Sequence, residues 1–203
     1  MDSIDSTNNY AYKLAQEGAR EITVIKANFQ SQGKGRFGRF WESPKNKGIY
    51  ASFILRPSNS ISDIYYLPPF FSLAVVKTIK EFVPAKIKLP NDVVVRDKKI
   101  AGVLVEAKSF GETVDFVIAG IGVNINTIKK ELPQDATSLF LETDKFYDIE
   151  HLFKELIKEV VLIYSEFKKN NIRNLLEEFF SYQENKYANI KDLLLKKEAV
   201  ILR

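Results

Sequence analysis

The sequence predicts an α+β fold, a mixed, largely antiparallel sheet flanked by helices. Three observations carry that expectation. Helical and strand-like periodicities interleave without a regular strand–helix–strand repeat. Between residues 93 and 126 three strand-like runs follow one another across tight polar turns. And 203 residues that are 45% hydrophobic contain enough apolar mass for one real core.

The elements follow in order. DSTNNYAYKLAQEG (5–18) reads as a helix with Ser6 or Thr7 as N-cap, a stripe of Tyr10, Leu14 and Ala15, and Gly18 as its stop. ITVIKA (22–27) is a strand, a long polar loop runs from Asn28 to Lys47, and GIYASFIL (48–55) is a second strand rich in β-branched and aromatic residues. From Ser62 a buried helix runs through PPFFSLAVVKTIKEF, its prolines in or before the first turn. KIKLP (86–90) is extended because Pro90 disfavours helix before it. VVV, IAGVLVEAK and TVDFVIAGIGVNIN then form an antiparallel meander with turns at 96–99 and 109–112, and two amphipathic helices occupy 148–182.

Composition narrows the function. There is no cysteine, so disulfides and thiolate metal sites are excluded, and no His-and-carboxylate cluster has zinc spacing; the single histidine, His151, lies outside every motif. The N-terminus lacks the layout of a signal peptide and no run is long and apolar enough to cross a bilayer, so no membrane association and a cytoplasmic location are expected. The net charge of +4 is mild, and the basic residues concentrate at 34–47 and 86–99. That density points to a small anionic ligand and not to nucleic acid.

Residues 33–38, GKGRFG, match the glycine spacing of a dinucleotide-binding turn, which requires a helix immediately after the glycines. Pro44, Asn46 and Gly48 forbid one there, and neither a P-loop nor kinase motifs follow. The informative feature is the interleaving of Lys34, Arg36 and Arg39 with glycines that let the backbone wrap an anion. The loop reads as a clamp over a phosphate-bearing ligand, poorly ordered until that ligand arrives, against the bland alternative of solvated surface charge.

Five stretches, DSTN (5–8), QSQGKGRFGRFW (30–41), KLPND (88–92), KKIAGVLVE (98–106) and GIGVNIN (120–126), occur in an order and spacing that resemble the biotin protein ligases. The resemblance spans residues 5–126 and implies the class II aminoacyl-tRNA synthetase-like catalytic core. It implies an ATP- and Mg2+-dependent reaction in which biotin becomes biotinyl-5′-AMP and is then transferred to a lysine of a biotin carboxyl carrier protein or domain.

By that resemblance Arg36 and Lys99 are the catalytic cations, placed between two anions that would otherwise repel, a carboxylate and a phosphate. Ser6, Thr7, Asn8, Gln30, Gly33, Lys34, Arg36, Lys99 and Gly102 would form the biotin site. Arg36, Arg39, Trp41, Lys88, Asn91, Asp92 and Asn124 would serve ATP, with Asp92 as the magnesium carboxylate and the glycines of GIGVNIN admitting the ligand. The local alternatives are a helix cap for Ser6 or Thr7, core filler for Trp41 and an ordinary turn for Asn91 and Asp92.

The chain departs from the family pattern at Lys34, where arginine is usual, and at Leu89, where tryptophan is usual. A catalytic domain over 1–183 is expected, followed at 184–203 by a short tail in place of the family's small SH3-like domain, and no N-terminal DNA-binding domain, hence no repressor role. A homodimer through a sheet edge remains open. The competing readings are a lipoate-ligase-like acyl-adenylating enzyme and a non-catalytic biotin or nucleotide-binding module.

Overall fold

A computed structural model describes residues 1–183 and 200–202. The chain runs α1 (Thr7–Gln16), β1 (Thr23–Ala27), β2 (Gly48–Leu55), α2 (Ile61–Ile64), α3 (Leu67–Ile79), β3 (Lys86–Lys88), β4 (Asp92–Val95), β5 (Lys98–Phe110), β6 (Thr113–Asn124), α4 (Leu139–Thr143), α5 (Ile149–Lys168), α6 (Ile172–Ser181) and β7 (Val200–Leu202). The sheet order is β1-β2-β6-β5-β4-β3, antiparallel throughout, with β7 parallel to β5 at its far end. The α+β expectation therefore holds, and β7 makes the sheet mixed. The tail expected at 184–203 lies outside the described residues apart from β7.

Turn chemistry sets the register. Arg96 and Asp97 both take positive φ, 49° and 66°, as a two-residue primed hairpin turn requires, and join β4 to β5. Gly111, at φ 61°, closes the β5–β6 hairpin. Strand alternation then sorts side chains between two faces. Ile49, Ala51, Phe53 and Leu55 of β2, Ala101, Val103, Val105 and Ala107 of β5, and Val117, Ala119, Ile121 and Val123 of β6 all join the large core.

That core lies beneath α3, which is buried at every position except Lys77 because it packs between the sheet and α5. The continuous apolar run PFFSLAVV is thereby explained. In α5 the buried residues Leu152, Leu156, Val160, Ile163 and Phe167 recur at helical spacing and face α3.

The opposite face is only half covered. There α1 sets Ala11 and Ala15 against Ile25, Ile54, Phe116 and Ile118. This corrects the expected stripe: Tyr10 is exposed and Leu14 only flanks the contact, because the small alanines let the helix lie close to the sheet. Ser6 does take the N-cap position, but its side chain makes no capping bond. The helix is held at its other end, where Arg56 donates to the carbonyls of Ala15 at 2.8 Å and Ala19 at 3.2 Å and to the Asp115 carbonyl at 3.3 Å.

Beyond the N-terminus of α1 this face carries Ser52, Gly102, Glu106, Gly120 and Gly122, positions with polar or no side chains. An open, partly polar surface is left there. Arg56→Ala strands the helix-end carbonyls and is expected to lower unfolding free energy by about 1–3 kcal/mol with an unchanged denaturant slope, checked by urea titration.

Candidate active site

The open face is roofed by residues 28–47 into a cavity of about 320 Å3. The roof is a small hairpin: Lys34 bridges Phe40, the Gly35 N–H donates to the Arg39 carbonyl at 2.8 Å, and the Trp41 N–H to the Gly33 carbonyl at 2.9 Å. At its tip Arg36–Gly38 form one 3-10 turn, with Phe37 at φ 56° and Gly38 at φ 71°. The loop, expected to be poorly ordered without ligand, follows a defined path here, and its short turn is not the helix N-terminus of a dinucleotide site.

One end of the cavity is a hydrogen-bonding cradle. The Gln30 side-chain oxygen accepts from the Thr7 N–H at 2.8 Å and the Thr7 hydroxyl at 3.0 Å. Its amide nitrogen donates to Ser43 Oγ at 2.9 Å, and Ser43 donates on to the Trp41 carbonyl at 3.2 Å. Ser52 Oγ lies 2.8 Å from Thr7 Oγ1 and 2.6 Å from Asn8 Oδ1. The Asn8 amide nitrogen donates to Glu106 Oε2 at 2.8 Å, which fixes the orientation of the amide. Every member from Thr7 to Glu106 is buried, and such a network is rigid because each group would be costly to leave unpaired.

The other end is cationic. Arg36 Nη1 donates to Asn91 Oδ1 at 2.8 Å, and Asn91 is itself anchored by donation to the Val103 carbonyl at 2.6 Å. Lys99 Nζ sits 2.6 Å from Asp92 Oδ1. Arg39 also lines the cavity. Lys34 donates to Asn9, whose amide bonds Asp5. The Asp5 carboxyl is held below the usual carboxylate range chiefly by the Asn9 amide, then by the Ser6 N–H, with Lys34 contributing.

Between the two ends lies Trp41, with Lys99 Nζ 5.3 Å from its ring. Gly102 pairs with Gly122 across β5 and β6, and both face the indole: a Cβ at Gly122 would lie 2.4 Å from Trp41 Cε2, and one at Gly102 3.2 Å from its Cζ3. A Cβ at Gly120 would lie 2.1 Å from Asn8 Oδ1. The glycines of β6 were expected to admit the ligand backbone-close. In this structure Trp41 and Asn8 occupy the space they leave.

The chain matches the biotin/lipoate A/B protein ligase family over residues 1–124. It belongs to that family. It is 36% identical over 144 residues to the bifunctional ligase/repressor BirA of Bacillus subtilis, covering 68% of this chain and 44% of that one. With the biotin–[acetyl-CoA-carboxylase] ligase of Mycobacterium tuberculosis it shares 33% identity over 141 residues, 66% and 51% of the two chains. This chain spans about half the length of these curated relatives. The biotin protein ligase of Aquifex aeolicus solved with biotin and ATP superposes with a TM-score of 0.76 at 29% identity, covering 91% of this chain and 77% of that one.

In this ligase-family member, Ser6, Thr7, Asn8, Gln30, Lys34, Arg36, Arg39, Trp41, Asn91, Asp92, Lys99 and Gly102 all line the cavity. Three expected site residues do not. Gly33 lies behind the wall, where a Cβ would meet the Trp41 carbonyl at 2.4 Å; its role is to let the hairpin close. Lys88 is exposed on the short strand β3, outside the lining. Asn124 is buried, with its amide nitrogen on the Thr137 carbonyl at 3.0 Å.

Sequence reasoning missed Ser52 and Glu106, although each is a polar residue on the non-core face of an otherwise apolar strand, a signal that alternation carries. It also missed Phe37 and Phe40 at the rim. Trp41 is the sole tryptophan and reports on this packing. Gly122→Ala is expected to expel the indole, shifting its emission to longer wavelength and raising its acrylamide quenching, with unchanged far-ultraviolet circular dichroism.

Proposed function

We propose that this protein is an ATP-dependent biotin protein ligase acting in the cytoplasm, converting biotin and ATP to biotinyl-5′-AMP and pyrophosphate, then transferring biotin to a lysine of a biotin carboxyl carrier protein or domain. The observation that carries the reading is the polarity of one cavity: a buried hydrogen-bonding cradle at one end, Arg36 and Lys99 at the other. The ureido head of biotin has N–H donors and a carbonyl acceptor to match the cradle. A dithiolane ring, as in lipoate, offers neither N–H nor C=O to these groups and would be disfavoured against biotin.

In the first step a carboxylate oxygen attacks the α-phosphorus and pyrophosphate leaves; in the second a lysine amine attacks the acyl carbon and AMP leaves. Both reactants of the first step are anions, so the protein must supply positive charge between them. Arg36 offers a planar fork to two oxygens, while Lys99 is a point charge. Neither exchanges a proton in this scheme; they position and stabilise developing charge. Asn91 and Asp92 hold these two cations across the cavity, which organises the site ahead of binding.

Magnesium fits this site in a limited way. Among the described residues no group of three acidic or histidine side chains could hold a metal, and the one carboxylate at the cationic end, Asp92, is paired with Lys99. A Mg2+ would therefore be held mainly by nucleotide phosphates, with Asp92 as its protein ligand, and would supply charge neutralisation of those phosphates. Asp92→Asn is expected to raise the Mg2+ concentration for half-maximal activity.

The test is biotin-dependent exchange of labelled pyrophosphate into ATP. Exchange is expected with biotin and not lipoate, falling on the order of a hundredfold in Arg36→Ala and in Lys99→Ala. Biotin affinity, measured by calorimetry, should fall far less. Exchange with lipoate alone would overturn the substrate, and exchange with neither would indicate a binding module.

A further inference from the structure

Phe37 stands at the tip of the hairpin in a left-handed backbone conformation, φ 56°, that an aromatic residue rarely adopts, and the residue is 66% exposed. Core burial does not explain it, since the ring is mostly in solvent. Strain of this kind persists where a surrounding arrangement demands it.

What Phe37 touches is Arg36. The guanidinium carbon lies 4.8 Å from the ring centroid, within the range of a cation–π contact. Arg36 Nη1 also donates to Asn91 Oδ1, and Asn91 is doubly tied to Val103, by its side chain to the Val103 carbonyl and by its backbone carbonyl to the Val103 N–H at 2.9 Å. The flexible arginine is therefore held by a ring from the roof and an amide from the sheet. The 3-10 turn makes this geometry: Gly38, at φ 71°, turns the chain back immediately after Phe37.

We propose that Phe37 is a positioning residue, whose ring, with the Asn91 amide, aims the Arg36 guanidinium across the cavity before substrates arrive. The left-handed conformation of Phe37 is the strained cost of placing the ring against the cation. The inference deepens the ligase reading, because it rests on Arg36 being the cation that joins carboxylate and phosphate. It concerns a loop residue lying between Arg36 and Gly38, outside the cradle and the anchoring strand.

The full chain is compared with Phe37→Leu, Phe37→Trp and Phe37→Gly. Phe37→Leu keeps an apolar side chain without a π face and is expected to lower the turnover of biotin-dependent pyrophosphate exchange about fivefold, as a lost cation–π contact implies, with biotin affinity within about twofold of the original. Phe37→Trp should restore turnover. Phe37→Gly removes the strain and should raise the melting temperature while losing turnover as Phe37→Leu does.

A readout independent of activity is the Arg36 Nε–H resonance, assigned through its loss in Arg36→Lys. It should carry a ring-current shift that disappears in Phe37→Leu and returns in Phe37→Trp. Leucine at full turnover, or tryptophan failing as leucine does, overturns the positioning role, and so does the absence of the ring-current shift. If the shift is present while the unaltered protein shows no exchange, the ligase reading falls and the Phe37–Arg36 contact stands.

Discussion

The site depends on how closely a roof can approach a sheet. Trp41 rests where Gly102 and Gly122 pair across β5 and β6, and Asn8 rests on Gly120; a methyl group at Gly122 or Gly120 would sit within 2.4 Å and 2.1 Å of those side chains. Real carbon contacts are not that short, so absent side chains on one strand face set the depth of the cavity. The same strands carry Ala119, Ile121 and Val123 on the other face, where bulk is needed for the core. One strand thus builds a packed core and a recess at once, because its side chains alternate.

Once the roof is seated, the polar groups beneath it have little freedom. Thr7, Asn8, Gln30 and Ser52 are buried at the start of α1, the loop and β2, and each finds its partner among the others or in Glu106. A buried polar network is favourable only when its members are satisfied together, which makes it specific as well as rigid. Arg56, by tying the far end of α1 to β2 and β6, holds the helix whose first turn supplies this cradle. The large core under α3 keeps the sheet in place, so residues from distant parts of the chain meet with little adjustment.

The cationic end follows a related rule. Arg36 and Lys99, like charges at one end of the cavity, each have a partner from residues 91–92, Asn91 for Arg36 and Asp92 for Lys99. These contacts hold both cations at the cavity. Cation and cradle are separated by the indole of Trp41, which gives the cavity two chemically distinct ends.

Much of this was legible in the sequence because it is local. Strand β2, the helix at PPFFSLAVV, a tight turn within 96–99 and the pairing of strands in a meander follow from periodicity and turn chemistry, which act over a few residues; that the turn is the two-residue primed type at Arg96 and Asp97 came from the structure. Five ordered motifs marked the candidate polar and cationic residues, and most of these line one cavity. What the sequence could not determine was who stands next to whom. Tyr10 and Ala11 are both plausible for the buried side of a helix, and only the close approach of α1 to the sheet chose the alanine. Ser52 and Glu106 became part of the cradle because the sheet register set them beneath Asn8. Lys88 matched its motif yet lies outside the lining, and Gly120 and Gly122 make room for Asn8 and Trp41. Alternation along a strand decides the face of each residue. The neighbours it meets there are decided by contacts between segments far apart in the chain, and those exist only in the folded molecule.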